Sequence, residues 1–118
     1  MTINSLIGKV FVNVEKRGNE ILFTAEDGTC LCMHHEQDSR ERVTIEDING
    51  DLSDLIGTPI LLADEAKSKE GEPKNDWDES FTWTFYRFGT IKGYVDIRWY
   101  GTSNGYYSES VTISEECL

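Results

Sequence analysis

Residues 81–100 read Phe-Thr-Trp-Thr-Phe-Tyr-Arg-Phe-Gly-Thr-Ile-Lys-Gly-Tyr-Val-Asp-Ile-Arg-Trp-Tyr, and this stretch decides the fold. Phe81, Trp83 and Phe85 alternate with Thr82, Thr84 and Tyr86. Val95, Ile97 and Trp99 alternate with Tyr94, Asp96, Arg98 and Tyr100. A period of two marks a strand with one face in the core. Trp83, Val95, Ile97 and Trp99 are therefore expected to be largely buried, and Asp96, Arg98 and Tyr100 to share the opposite face. Val111 and Ile113 alternate with Ser110 and Thr112, which adds a third antiparallel strand. The connector Gly101-Thr102-Ser103-Asn104-Gly105 contains Asn-Gly, a favoured reverse turn.

The same logic extends toward the N-terminus. Val10, Val12 and Val14 alternate with Phe11, Asn13 and Glu15, Ile21 to Thr24 is a second strand, and Thr29 to His35 a third. Arg17-Gly18-Asn19 and Asp27-Gly28 supply the turns of an antiparallel meander. Asn4 or Ser5 caps a short turn ending at Gly8. Arg42 to Ile48 is another strand. Asp51 to Gly57 reads as a short helix capped by Asp51, with Leu52, Leu55 and Ile56 at helical spacing. Ile60 to Ala63 is an apolar strand after Pro59. Residues 64–79 then carry seven carboxylates with Gly71 and Pro73 between them, which reads as a loop, mobile over about residues 67–78. The expected fold is β-rich (α+β): a single antiparallel sheet or a partly closed barrel with one or two short helices, in one domain spanning residues 1–118.

Composition narrows the function. The chain has 118 residues, 38% of them apolar and 11% aromatic, enough for a packed core. Its 11 basic and 22 acidic residues give a formal charge of -11. Affinity for nucleic acid comes largely from cations neutralising phosphates. So negative a field opposes direct nucleic-acid binding and anionic membranes, and favours basic partners. No apolar run reaches the roughly 18 residues of a membrane span, and the N-terminus lacks a signal-peptide pattern. Cys30, Cys32 and Cys117 make an odd number, and same-strand pairing of Cys30 with Cys32 is geometrically poor. Free thiols in a reducing cytoplasm are the simpler account.

Catalytic and metal signatures do not assemble. His34, His35, Glu36, Asp38 and Glu41 are close in sequence, but neighbours on a strand face opposite ways, and zinc-finger spacing is missing. Residues 47–58 alternate like a calcium loop until Leu52 takes the glycine position and Thr58 the bidentate glutamate position. Cys32 and His34 share a face at a rise of about 6.7 Å, too far for direct proton transfer. No cofactor and no metal are expected, and no enzyme.

Three segments carry a resemblance. They are Ile45-Glu46-Asp47-Ile48-Asn49-Gly50-Asp51-Leu52-Ser53-Asp54-Leu55-Ile56-Gly57, Thr82-Trp83-Thr84-Phe85-Tyr86, and the run from Lys92 through Gly93-Tyr94-Val95-Asp96-Ile97-Arg98-Trp99-Tyr100-Gly101-Thr102-Ser103-Asn104-Gly105-Tyr106-Tyr107 to Ser108. They resemble a family of small uncharacterised phage and prophage proteins. That family's pattern has two cysteines after a His-x-Gln-Asp stretch, where this chain has Ser39 and Arg40 after His35-Glu36-Gln37-Asp38. The resemblance implies a phage-borne accessory protein and carries no activity with it.

The candidate contact residues are Tyr86, Asp96, Arg98, Tyr100, Asn104, Tyr106 and Tyr107, an arginine framed by tyrosines, with Glu70, Glu72, Asp76 and Asp78 of the acidic loop. Arg and Tyr are enriched in interface hot spots. The leading expectation is an inhibitor that presents carboxylates to a basic surface on a host protein, such as a CRISPR nuclease or another nucleic-acid-handling defence component. The alternative is a small-ligand module that sequesters an anionic nucleotide, with Arg98 on phosphate and a tyrosine on the base.

Overall fold

Among the described residues eight strands form, and they sort into two sheets rather than one. The computed structural model describes residues 3–36, 41–68, 80–103 and 108–116. In chain order the strands are β1 (Phe11–Arg17), β2 (Glu20–Ala25), β3 (Cys30–His34), β4 (Arg42–Asn49), β5 (Leu62–Ser68), β6 (Ser80–Thr90), β7 (Gly93–Ser103) and β8 (Thr112–Glu116). One four-stranded sheet has the order β1-β2-β3-β8 and the other β4-β7-β6-β5, all pairs antiparallel. Their inner faces pack on each other. Phe11 and Phe23 of the first sheet lie 5.2 Å apart at their ring centroids, and Phe23 meets Phe88 of the second at 5.7 Å. Trp99, Ile97, Val95, Tyr86, Leu31 and Met33 join this core. Among the described residues no barrel closes, so the single sheet or barrel read from the sequence is replaced by two facing sheets.

The final strand explains part of that difference. The sequence reading runs residues 111–113 beside β7. Instead, β8 crosses to the first sheet and pairs with β3, Met33 opposite Ile113. The crossing is fixed by Glu109, a buried carboxylate that accepts hydrogen bonds from Thr82 Oγ1 at 2.7 Å and Ser103 Oγ at 2.5 Å. It fits because residue 101 is glycine: a Cβ there would sit 2.8 Å from the Glu109 carbonyl oxygen.

Both short helical segments are single 3-10 turns, Ile3–Leu6 and Leu52–Leu55. Asp51 does cap the second, accepting the Ser53 N–H at 2.9 Å. The helix stops after four residues because Ile56 bridges to Phe11 and the Gly57 N–H donates to the Phe11 carbonyl at 2.8 Å. Tertiary pairing captures the backbone groups a longer helix would use.

Two strands also differ in phase, and one in extent, from the reading above. In β1, a bulge between Phe11 and Asn13 resets the register. Phe11 and Val14 are buried while Val12 is exposed. The apolar strand read over residues 60–63 begins at Leu62 instead and runs as β5 to Ser68, so residues 60–61 are not strand and residues 64–68 are strand and not loop. Pairing with β6 holds this charged edge. In β6, Thr82, Thr84, Tyr86 and Phe88 face inward, and Trp83 is half-buried on the outside. The register decides it: Thr84 pairs with Trp99 and Tyr86 with Ile97, both core residues. A one-residue slip moves every side chain to the other face, and a strand aromatic on both faces carries little signal of which is inside.

Candidate functional site

The phase of β6 builds a different outer face on the second sheet from the one the sequence suggested. Cross-strand partners form rows. Asn49, Asp96, Arg87 and Asp64 make one; Asp47, Arg98, Phe85 and Ala66 the next; Thr44, Tyr100, Trp83 and Ser68 a third; Arg42, Thr102 and Phe81 a fourth. The first two rows line an open cleft of about 450 Å³.

Each charged group in the cleft has a distinct state. Arg87 and Asp96 pair through two hydrogen bonds, Nε to Oδ1 at 2.7 Å and Nη2 to Oδ2 at 3.2 Å. That carboxylate holds the Arg87 guanidinium even further above neutral than usual. The Arg87 fork is thus occupied. Arg98 behaves differently. Asp47 is its partner across the strands, yet the guanidinium lies over the Trp83 ring at 5.3 Å instead. A cation over an indole face keeps its N–H donors available at the ring's edge. Tyr100 packs against the same indole at 4.5 Å and against Phe81 at 6.2 Å. Phe85 is 40% exposed, and Tyr94, at the end of the sheet, is 66% exposed. Gly89 makes room for Tyr94: a Cβ there would lie 2.8 Å from the ring.

The face therefore brings together Asp96, Arg98 and Tyr100 from the sequence-derived set. Tyr86 is removed from it. Its side chain is buried beneath the sheet, and burial, with the neighbouring Glu65 carboxylate, pushes its phenol far up, so it stays protonated. Asn104, Tyr106, Tyr107, Glu70, Glu72, Asp76, Asp78 and Cys117 lie outside the described residues. Trp83, Phe85, Arg87, Asp47, Asn49 and Asp64 were missed. The signal for three of them was present in Trp83-x-Phe85-x-Arg87, which is the outer set once the core is given to Thr84, Tyr86 and Phe88.

The charge of this face sets it apart. Arg42, Arg87 and Arg98, three of the chain's five arginines, stand against Asp47, Asp64, Asp96 and Glu46, which reaches Thr44 Oγ1 at 3.5 Å. In a chain of charge -11, this described face gathers three arginines beside Trp83, Phe85 and Tyr100. That composition, and not bulk hydrophobicity, distinguishes protein interfaces from other surface.

The histidines fall elsewhere. His34 Nε2 meets Ser114 Oγ at 3.0 Å on the outer face of the first sheet. His35 Nδ1 lies 2.6 Å from the Ser110 carbonyl, an acceptor, so Nδ1 carries the proton. Its Nε2 then faces the buried Glu41 carboxyl at 3.4 Å. These contacts tie β3 and β4 to the segment entering β8. Cys30 and Cys32 are both reduced, neither in a disulfide. Among the described residues, no three His, Cys, Asp or Glu side chains gather where they could hold a metal ion, and no helix is long and apolar enough to cross a membrane.

A family model described as a domain of unknown function, DUF7448, matches residues 4–113. No curated protein and no solved structure matches the chain.

Proposed function

The chain belongs to the DUF7448 family of domains of unknown function, and we propose that it works by binding, not by catalysis, with the outer face of the β4-β7-β6-β5 sheet as its contact surface. The observation that carries this reading is Arg98, held over Trp83 with its donors unspent, beside exposed Phe85 on a nearly neutral face. The finer reading is an accessory protein of a phage that binds and inhibits a protein in the cytoplasm of its bacterial host. A nucleic-acid-handling defence component such as a CRISPR nuclease is the target that suits the charge. The -11 field attracts a basic partner and speeds encounter. The arginine and aromatics then fix it, so most of the affinity resides in slow dissociation.

This division of labour is testable. Tagged protein is used to capture host proteins, and binding kinetics to the captured target are read at low and high salt. Association should slow with salt while dissociation changes little. Arg98→Ala should speed dissociation of the same target. If Arg98→Ala and Phe85→Ala both leave capture unchanged, the surface is misassigned. A second reading, sequestration of an anionic nucleotide, is favoured by one feature: the Arg98 fork and the Phe85 ring line the same cleft. Thermal shift against linear and cyclic nucleotides tests it, and no shift at millimolar ligand removes it.

A further inference from the structure

We infer that the cleft on the outer face of the β4-β7-β6-β5 sheet receives one arginine side chain of a basic protein partner, its guanidinium laid on the Phe85 ring and held by the Asp47 carboxylate. The inference rests on reading this face as the contact surface, and names the chemistry that enters it. The cleft, about 450 Å³, spans all four strands, with Asp47 on the β4 side, Asp64 and Ala66 on the β5 side and Phe85 between them. Ala66, the cross-strand partner of Phe85, is too small to cover the ring, which is 40% exposed.

The ion pairs inside the cleft are unevenly made. Asp96 is spent on Arg87 through two hydrogen bonds. Asp64 also lies opposite Arg87, but that fork is already occupied. Arg98 lies opposite Asp47, yet its guanidinium leans into the next row, 5.3 Å from the centre of the Trp83 ring. Asp47 is thereby left exposed, with no hydrogen bond or ion pair among the described residues. The charge that stays uncompensated in the cleft is therefore negative, and it flanks an exposed ring. A phosphate placed there would meet the Asp47 and Asp64 carboxylates within a chain of charge -11.

The span fits the occupant. Asp47 on β4 and Phe85 on β6 stand two strands apart, about 9.6 Å. Arg98 stands between them and opens that span by leaning toward Trp83. A cation within about 6 Å of a ring centroid and about 2.8 Å from a carboxylate oxygen bridges it. A guanidinium is planar, stacks on a ring and still offers a carboxylate two parallel donors, which a lysine ammonium does not.

The full chain is titrated with N-acetylarginine amide in the millimolar range, and its backbone amides are followed by NMR. Shifts should concentrate at Asp47, Phe85 and Ala66. N-acetylcitrulline amide, of the same shape without the charge, should bind about tenfold more weakly. Asp47→Asn should weaken the arginine probe by a similar factor, and Phe85→Ala should weaken it without removing a charge. Glu20→Gln, which removes one carboxylate from the other sheet, should leave it unchanged. Each variant is first shown to keep the parent's amide spectrum away from its own site. Asp47→Asn should also weaken capture of the host target. Equal binding of the citrulline probe overturns the inference, as do shifts spread over the acidic surface with Asp47→Asn and Glu20→Gln acting alike. Failure of the arginine probe at the cleft, with capture still lost in Arg98→Ala, overturns the inference and keeps the contact surface. Capture indifferent to Asp47→Asn, Phe85→Ala and Arg98→Ala overturns both.

Discussion

The two outer faces are made by sheets of four antiparallel strands each, yet one is closed and the other more open. On the first sheet, Leu22 and Cys32 point away from the core and are still only 9% and 1% exposed. They lie side by side in register, with Glu15 beyond Leu22 and Ser114 beyond Cys32. The polar groups there satisfy one another: Arg17 with Glu15, His34 with Ser114. On the second sheet Tyr100 is covered in the same way, at 5% exposed, but Phe85 stands out at 40% and Arg98 keeps donors in reserve. A sheet with its outer hydrogen bonds already spent has little to offer a partner; one with unspent donors beside exposed rings gains from being covered.

The largest effect that separates the faces is on folding. Leu22→Ala removes a side chain that its neighbours already cover, and should cost about 2 kcal/mol or more. Phe85→Ala, equally an outward-facing apolar residue, should stay within about 0.5 kcal/mol. Urea midpoints compare the two. Equal costs would mean that the faces do not differ in the way described here.

Arg98→Ala reverses the order of effects. Its stability cost should stay within about 0.5 kcal/mol, while binding to the captured target should fall by about 2 kcal/mol if Arg98 anchors the hot spot. Unfolding of Arg98→Ala would make it a structural cation and move the contact surface elsewhere. Arg87→Ala is expected to do less on both counts. Its pair with Asp96 is well aligned but both side chains are substantially solvated, so the stability loss should be below about 1 kcal/mol and should shrink in salt.

How far the sequence reaches can be judged from these same residues. Val95, Ile97 and Trp99 against Asp96, Arg98 and Tyr100 were legible, because branched and aromatic residues alternate there with charged ones. Trp83 and Tyr86 were not, since β6 alternates aromatic with threonine and then aromatic with arginine, and neither parity is polar throughout. Only the pairing of Thr84 with Trp99 fixes the phase, and register is a long-range property. The transfer of β8 to the other sheet was hidden for a similar reason: it depends on Glu109 reaching Thr82, which lies 27 residues away in sequence. Asp51 was read correctly as a cap because a cap is local, whereas the length of the turn after it depended on Phe11.

The smallest expected effect is on acid stability. Asp27 and Asp51 are held below their ordinary value of 3.8 by hydrogen bonds from Thr29 and Ser53. A carboxylate depressed on folding adds stability above its unfolded pKa and loses it as pH falls through the folded one. Asp27→Asn and Asp51→Asn should therefore lose less stability than the parent between neutral pH and about pH 3. Urea midpoints at the two pH values check the sign. A steeper loss in the variants would contradict the assignment of those caps.

The central claim is that the open face, not the closed one, is the contact surface. Its most direct test is affinity capture from host extract with two sets of variants. Arg98→Ala and Phe85→Ala alter the open face; Glu15→Ala and Glu20→Ala alter the closed one. The account predicts that the first pair loses the target and the second retains it. Loss of the target with Glu15→Ala and Glu20→Ala, and full capture with Arg98→Ala and Phe85→Ala, would contradict it.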